Sequence, residues 1–174
     1  VSKLPIDHPY TKLVEYDRWL LRRFSERFNE TKDGGSGIEP WQIDEFVMKQ
    51  PRSVVALVIK PDGQVLAVSR RDHPDDLGLP GGKIDPGETP EQALVRELRE
   101  ETDLEAKDFT FCYERVDRSD GRVAWCYQVT VWDGLAVQRE AGIRVAWVDP
   151  KRLLEERCTF REYNRGLLES LRLL

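Results

Sequence analysis

Between Gly81 and Leu104 the chain gathers acidic side chains at spacings that could hold a divalent cation against an anionic substrate. Thr89, Pro90 and Gln92 read as a helix start, with threonine as N-cap, proline at the first helical position and glutamine closing a capping box. The helix is predicted to run from Pro90 to about Thr102. Leu94 and Leu98, one turn apart, define its buried stripe. Glu97 and Glu101, also one turn apart, lie beside that stripe with Glu100 as their neighbour. Like charges at these spacings destabilise a helix by roughly 0.2–0.5 kcal/mol per pair, and partly buried, unpaired carboxylates cost more. Arg96 can pair with Glu100, but one arginine cannot neutralise the set. A divalent cation can, and oxygen-only donors select Mg²⁺, Mn²⁺ or Ca²⁺ over zinc. Mg²⁺ keeps several waters and accepts substrate phosphates, which suits phosphoryl chemistry.

The segment before the helix, expected as a loop, supplies the other half. Gly81, Gly82 and Gly87 permit tight turns and close approach of a ligand, and their amides with Lys83 could hold an anion. Glu88, just ahead of the helix, can fold back toward the acidic face. Taken singly, a glutamate-rich helix reads as a solvated face and a Gly-Gly pair as a turn. Their joint occurrence at fixed spacing points to a site.

The surrounding elements must position this segment. Val54 to Ile59 is a continuous apolar run, expected as a buried strand, and Val65 to Ser69 as a second strand forming a hairpin with it across Pro61-Asp62-Gly63. Arg70 to Leu77 reads as a polar loop. Phe109 to Val116 and Arg122 to Trp132 read as two further strands joined by a turn at Ser119-Asp120-Gly121. On the first, Phe109, Phe111 and Tyr113 are expected to share one face; on the second, Val123, Trp125, Tyr127, Val129 and Val131. Ile143 to Val148 is another strand, Asp149-Pro150 starts a helix, and Phe160 to Leu174 is a last amphipathic helix. Strands, a central helix, strands and then helices describe an α/β (α+β) domain, a mixed sheet sandwich with packed helices, over residues 51–174. Residues 1–50 read as an N-terminal helical extension: an amphipathic helix near Thr11 to Phe28, a glycine-rich break at Asp33 to Gly37, and a short helix after Pro40. The first helix packs on its own domain or builds a homodimer.

The 174 residues carry 27 basic and 32 acidic side chains, a net charge of -5. Duplex nucleic-acid binding by bulk charge is therefore disfavoured. The three cysteines, an odd number with no zinc spacing, read as reduced thiols of a cytoplasmic protein, and two histidines leave little material for a zinc site or a serine–histidine triad. The N-terminus does not read as a signal peptide, and no apolar run approaches the roughly 20 residues that span a bilayer, so no membrane partner is expected.

Gly82, five residues, Glu88, seven residues, then Arg96-Glu97-Leu98-Arg99-Glu100-Glu101-Thr102-Asp103-Leu104 resembles the signature box of the Nudix hydrolases. Every defined position matches except Asp103, which stands where the family usually has glycine, at the helix C-terminus. Glycine is favoured there for its positive φ, and aspartate tolerates that conformation better than most residues. The resemblance extends in element order from Ser53 to about Phe160 and leaves out the first 50 residues. It implies cleavage of nucleoside diphosphates linked to another moiety, with Mg²⁺ as cofactor (Mn²⁺ as a substitute). By position, Glu97, Glu100 and Glu101 would be metal ligands, with Glu88 completing the cluster directly or through water. Glu100 and Glu101 would serve catalysis, and Arg96 would orient a box glutamate. Family members often take a further carboxylate from a later loop; Glu140 is the candidate base or extra ligand, against an exposed loop glutamate.

The expected substrate is a nucleoside triphosphate, either canonical or modified or damaged in its base, giving a nucleoside monophosphate and pyrophosphate. The absence of proline between Leu104 and Pro150 argues against the usual ADP-ribose branch. A nucleotide-sugar or dinucleotide pyrophosphatase is the alternative enzyme, and an inactive nucleotide-binding or regulatory module the alternative class. Arg70 and Arg71 could contact phosphate or base, or be solvated. Phe111, Tyr113, Trp125 and Tyr127 could stack a base, though aromatics alternating along a strand more often belong to a core.

Overall fold

The computed structural model describes residues 51–116, 122–139 and 141–174. The expected N-terminal helices and glycine-rich break, the turn residues 119–121, and Glu140 lie outside the described residues. The elements run β1 (Pro51–Val58), β2 (Val65–Arg70), β3 (His73–Gly78), β4 (Gly81–Lys83), α1 (Pro90–Thr102), β5 (Glu105–Val116), β6 (Val123–Asp133), β7 (Val145–Val148), a 3₁₀ turn (Pro150–Leu154) and α2 (Arg161–Ser170). The strands form a four-stranded sheet, β4-β1-β6-β5, and a three-stranded sheet, β3-β2-β7. This is the expected mixed α+β sandwich.

The continuous apolar run of β1 follows from its place in the first sheet. It pairs parallel with β6 and antiparallel with β4, and both its faces are covered. Val54, Ala56 and Val58 point into one core with Leu94 and Leu98 of α1 and with Trp125, Tyr127 and Val129 of β6. Leu57 points into a second core with Val65, Ala67, Cys126, Leu153 and Leu167. Helix α1 therefore lies on one face of the sheet and α2 on the other, while β2 gives Leu66 to the first core and Val65 and Ala67 to the second. Among the described residues no helix is long and apolar enough to cross a membrane.

Several sequence expectations need correction. The turn at Pro61-Asp62-Gly63 exists, but β1 and β2 diverge into different sheets, joined only by an isolated bridge between Ile59 and Val65. The predicted loop Arg70 to Leu77 contains β3, which pairs antiparallel with β2 after a turn at Asp72 (φ 61°). An edge strand tolerates the polar residues and the proline that had read as a loop. Gly81 to Lys83, also expected as loop, forms β4. The helix after Asp149 is a single 3₁₀ turn, with the Asp149 side chain accepting from the Lys151 amide at 2.9 Å.

The aromatic face of β5 is also interrupted. Phe111 faces Tyr127 and Tyr113 faces Cys126, so Cys112 is the extra residue of a β-bulge. Phe109 packs with the first core, while Tyr113 packs with the second, edge-on to Tyr163 of α2 at 5.8 Å. Val131 is exposed rather than facing the core with its neighbours.

Candidate active site

Helix α1 carries the chemistry because its start and stop are both fixed. The Gln92 amide donates to Thr89 Oγ1 at 3.2 Å, and the Thr89 amide donates to Gln92 Oε1 at 2.8 Å, closing the capping box. Such a cap is worth about 1 kcal/mol. The C-terminus ends at Asp103 in the left-handed conformation (φ 63°, ψ 8°), its amide donating to the Arg99 carbonyl at 3.0 Å. Asp103 thus takes the conformation for which glycine is usual, and its side chain pairs with Arg139 at 3.0 Å. Between these ends, Ala93, Leu94, Leu98 and Thr102 are buried and set the rotation of the helix. That rotation aims Arg96, Glu97, Glu100 and Glu101 toward the β4 edge.

Arg96 organises the acidic cluster. Its Nε and Nη2 donate to the two oxygens of Glu88 at 2.9 and 2.8 Å, a two-point clamp. Its Nη1 donates to Glu97 at 2.8 Å and to Glu100 at 3.3 Å, and Nη2 also reaches the Lys83 carbonyl at 3.0 Å. Asp85 lies 3.8 Å from Nε. Glu88 is 2% exposed and also accepts from the Asp85 amide at 3.1 Å. Bonding to Glu88 holds the Arg96 guanidinium firmly protonated, although burial opposes it. Burial raises the Glu97 carboxyl above its ordinary range; the Arg96 bond opposes this, and the nearby Glu100 and Glu88 charges add to it.

The glycines of β4 fit against the same helix. The Gly81 amide donates to Glu101 Oε2 at 2.8 Å. A Cβ on Gly81 would collide with the Val54 carbonyl, and one on Gly82 with the Glu97 carboxylate. Gly82 is therefore needed for the close approach of a box glutamate, a use of glycine that spacing alone did not reveal.

Among the described residues no three His, Cys, Asp or Glu side chains already converge on one point as a metal cage. The donors nonetheless fit a hard divalent ion in type and charge. They are all carboxylates, and Glu88, Glu97, Glu100 and Asp85 surround a single guanidinium. Burial is the main reason that the Glu97 carboxyl is raised, and the Glu100 and Glu88 charges add to it. Glu100, with its side chain 56% exposed, and the half-buried Glu97 are helix donors that could turn from Arg96 to an ion.

A cavity of about 170 Å³ adjoins β4, lined among others by Val55, Gly81, Gly82, Phe160, Tyr163 and Asn164. The last three were expected only as parts of an amphipathic helix. Asn164 is buried, and its Nδ2 donates to the Leu153 carbonyl at 3.3 Å. A polar residue on the apolar stripe of that helix was the available signal. Of the other candidates, Lys83 enters the cluster through its carbonyl. Arg70 donates to Thr159 Oγ1 at 3.2 Å and lies 4.0 Å from Asp76, and Arg71 donates to the Ala141 carbonyl at 3.3 Å. Those contacts lie outside the carboxylate cluster. Trp125 and Tyr127 are buried in the core, whereas Phe111 is about half exposed.

The family model for the NUDIX domain matches residues 49–170. The chain belongs to the NUDIX family. It is 35% identical over 109 residues to the CTP pyrophosphohydrolase of Escherichia coli K12, covering 59% of this chain and 78% of that protein. It is 34% identical over 94 residues to the 8-oxo-dGTP diphosphatase of the same organism, covering 50% of this chain and 71% of that protein. The MutT NUDIX hydrolase of Burkholderia pseudomallei superposes with a TM-score of 0.55 at 26% identity, over 68% of this chain and 98% of that one. The carboxylate cluster thus belongs to a Nudix hydrolase, whose box lies where β4 meets α1.

Proposed function

We propose that this Nudix hydrolase cleaves a phosphoanhydride bond of a nucleoside triphosphate, releasing a nucleoside monophosphate and pyrophosphate, with Mg²⁺ as cofactor. The observation that carries this reading is the crowding of Glu97 and Glu100 on Arg96, with Glu101 tied to the Gly81 amide, beside the cavity that adjoins β4. Glu97, Glu100 and Glu101 are the assigned metal ligands. Glu88, with both oxygens engaged by Arg96 and one also by the Asp85 amide, is assigned to hold that arginine and through it the ligands. A bound divalent cation supplies neutralisation of the phosphate oxygens and acidifies a water for attack. The water oxygen attacks phosphorus, the anhydride P–O bond breaks, and a carboxylate accepts the proton; Glu140 and Glu100 are the candidates. Gly81, Gly82 and Lys83 are assigned to the substrate side. Arg70, held at Thr159, is assigned to bracing the segment that leads into α2.

The relatives that act on CTP and on 8-oxo-dGTP favour a triphosphate over a nucleotide sugar. The family match begins at residue 49 and β1 at Pro51, which supports a domain boundary near residue 50. The test is Mg²⁺-dependent pyrophosphate release from a panel of canonical and oxidised triphosphates, with nucleotide sugars and dinucleotides alongside. Turnover confined to triphosphates is expected. Turnover confined to nucleotide sugars or dinucleotides would replace the substrate reading, and no turnover on any would overturn the reaction.

A further inference from the structure

The bulge in β5 brings two thiols together, away from the carboxylate cluster. Cys112, the unpaired bulge residue, and Cys126 both pack with the second core, opposite α1. Cys112 Sγ donates to the Cys126 carbonyl oxygen at 3.4 Å, which brings the two cysteines into contact across the strand pair. In a β-bulge two residues of one strand oppose one residue of the other, so Cys112 and Tyr113 both lie across from Cys126, on the strand where a disulfide partner must sit. Cys126 is fully buried. Cys112 is half-buried and lines a groove of about 570 Å³ together with Phe111, Tyr113, Glu114, Trp125 and Leu171. One sulfur of the pair is therefore open to a small solute, while the other is shut off from solvent.

We propose that Cys112 and Cys126 form a peroxide-reactive dithiol, a modification site for small hydroperoxides that enter along this groove. The difference in their exposure divides the labour. Bonding to Cys126 lowers the pKa of Cys112, although burial opposes it. The bond to Cys112 and then burial push Cys126 well up. Cys112, the sulfur open to the groove and the one with the lower pKa, is thus the attacking group, and the buried Cys126 is the resolving one. The Cys112 sulfur attacks one peroxide oxygen, the O–O bond breaks, and the departing oxygen leaves as water after taking up a proton. Cys126 sulfur then attacks the sulfenic sulfur, the S–O bond breaks, and a second water leaves. Two thiols and one hydrogen peroxide give one disulfide and two waters, with two electrons passing from sulfur to peroxide.

Cys158 serves as the internal control. It is buried, and its thiol donates to the Arg152 carbonyl at 3.3 Å. The experiment treats the full chain with stoichiometric hydrogen peroxide, alkylates remaining thiols, and maps peptides without reduction. The expected result is a Cys112–Cys126 linked peptide about 2 Da lighter than its reduced parts, lost on adding dithiothreitol. Cys158 should stay alkylatable. In Cys126→Ser, a sulfenic acid on Cys112 should be trapped by dimedone. Free Cys112 and Cys126 after treatment of the wild type, or oxidation of Cys158 ahead of them, would overturn the proposal.

Discussion

Replacing Arg96 with methionine isolates what the guanidinium contributes to the fold. The Glu88 side chain is 3% exposed and takes two charge-assisted bonds from Arg96, whose own side chain is 23% exposed. Methionine retains much of the apolar stem and leaves the buried carboxylate with its bond from the Asp85 amide. Removing one partner of a buried ion pair costs about 3–5 kcal/mol. Partial solvent access to Arg96 and the surviving Asp85 bond reduce this to about 2–4 kcal/mol. At this chain length, each kcal/mol moves the thermal midpoint by about 2–4 °C, so the variant should melt roughly 4–16 °C below wild type. Urea unfolding gives the free energy directly, read at the midpoint with an unchanged slope. Adding Glu88→Gln to Arg96→Met should recover part of the loss, because a neutral amide is cheaper to leave without its guanidinium than a carboxylate. A loss below about 1 kcal/mol for Arg96→Met would refute the reasoning that Glu88 is a buried charge neutralised mainly by this arginine.

Three further results are expected. Folding raises the Glu97 carboxyl above its ordinary 4.5, so the folded chain holds that proton more tightly than the unfolded chain, and stability is lost as pH rises through and above that value. Glu97→Gln should therefore gain in relative stability between pH 4 and pH 7 while losing activity; a stability gap that does not change with pH would contradict this. Gly82→Ala places a methyl against the Glu97 carboxylate, the far end of a flexible side chain. It should leave the thermal midpoint nearly unchanged while lowering kcat about 10- to 100-fold through misplacement of a ligand, and undiminished kcat would count against Glu97 as a ligand. Mg²⁺ at a hundredfold excess over its dissociation constant should stabilise the wild type by about 2.7 kcal/mol, measured by thermal unfolding, and should do so less in Glu100→Gln at the same concentration.

Features fixed by local chemistry were legible in the sequence. The capping box at Thr89 and Gln92, the span of α1, and the left-handed conformation of Asp103 each depend on residues within one or two turns. The acidic face was legible because helical periodicity alone sets which side chains share it. The apolar run of β1 marked a strand buried on both faces. The edge strands β3 and β4 were not legible, because an edge needs neither apolar alternation nor length. The bulge at Cys112 defeated the period of two and sent Tyr113 to the opposite face. Distant pairings were also invisible: Thr159 donates to Asp76 through both its amide and its hydroxyl, 83 residues away, and Asn164 reaches the cavity beside Gly81 only through the fold. Glu88 was read as a member of the acidic cluster, yet its two-point grip on Arg96 depends on how the loop from Asp85 returns to the helix.

The most direct test of the central claim is Mg²⁺-dependent triphosphate hydrolysis by Glu100→Gln and Glu101→Gln beside wild type, with thermal unfolding to confirm that both variants fold. If these carboxylates are the hydrolytic centre, turnover should fall by orders of magnitude in both variants while the midpoints stay close to wild type. Undiminished turnover in both folded variants would show that the reaction does not run through this cluster.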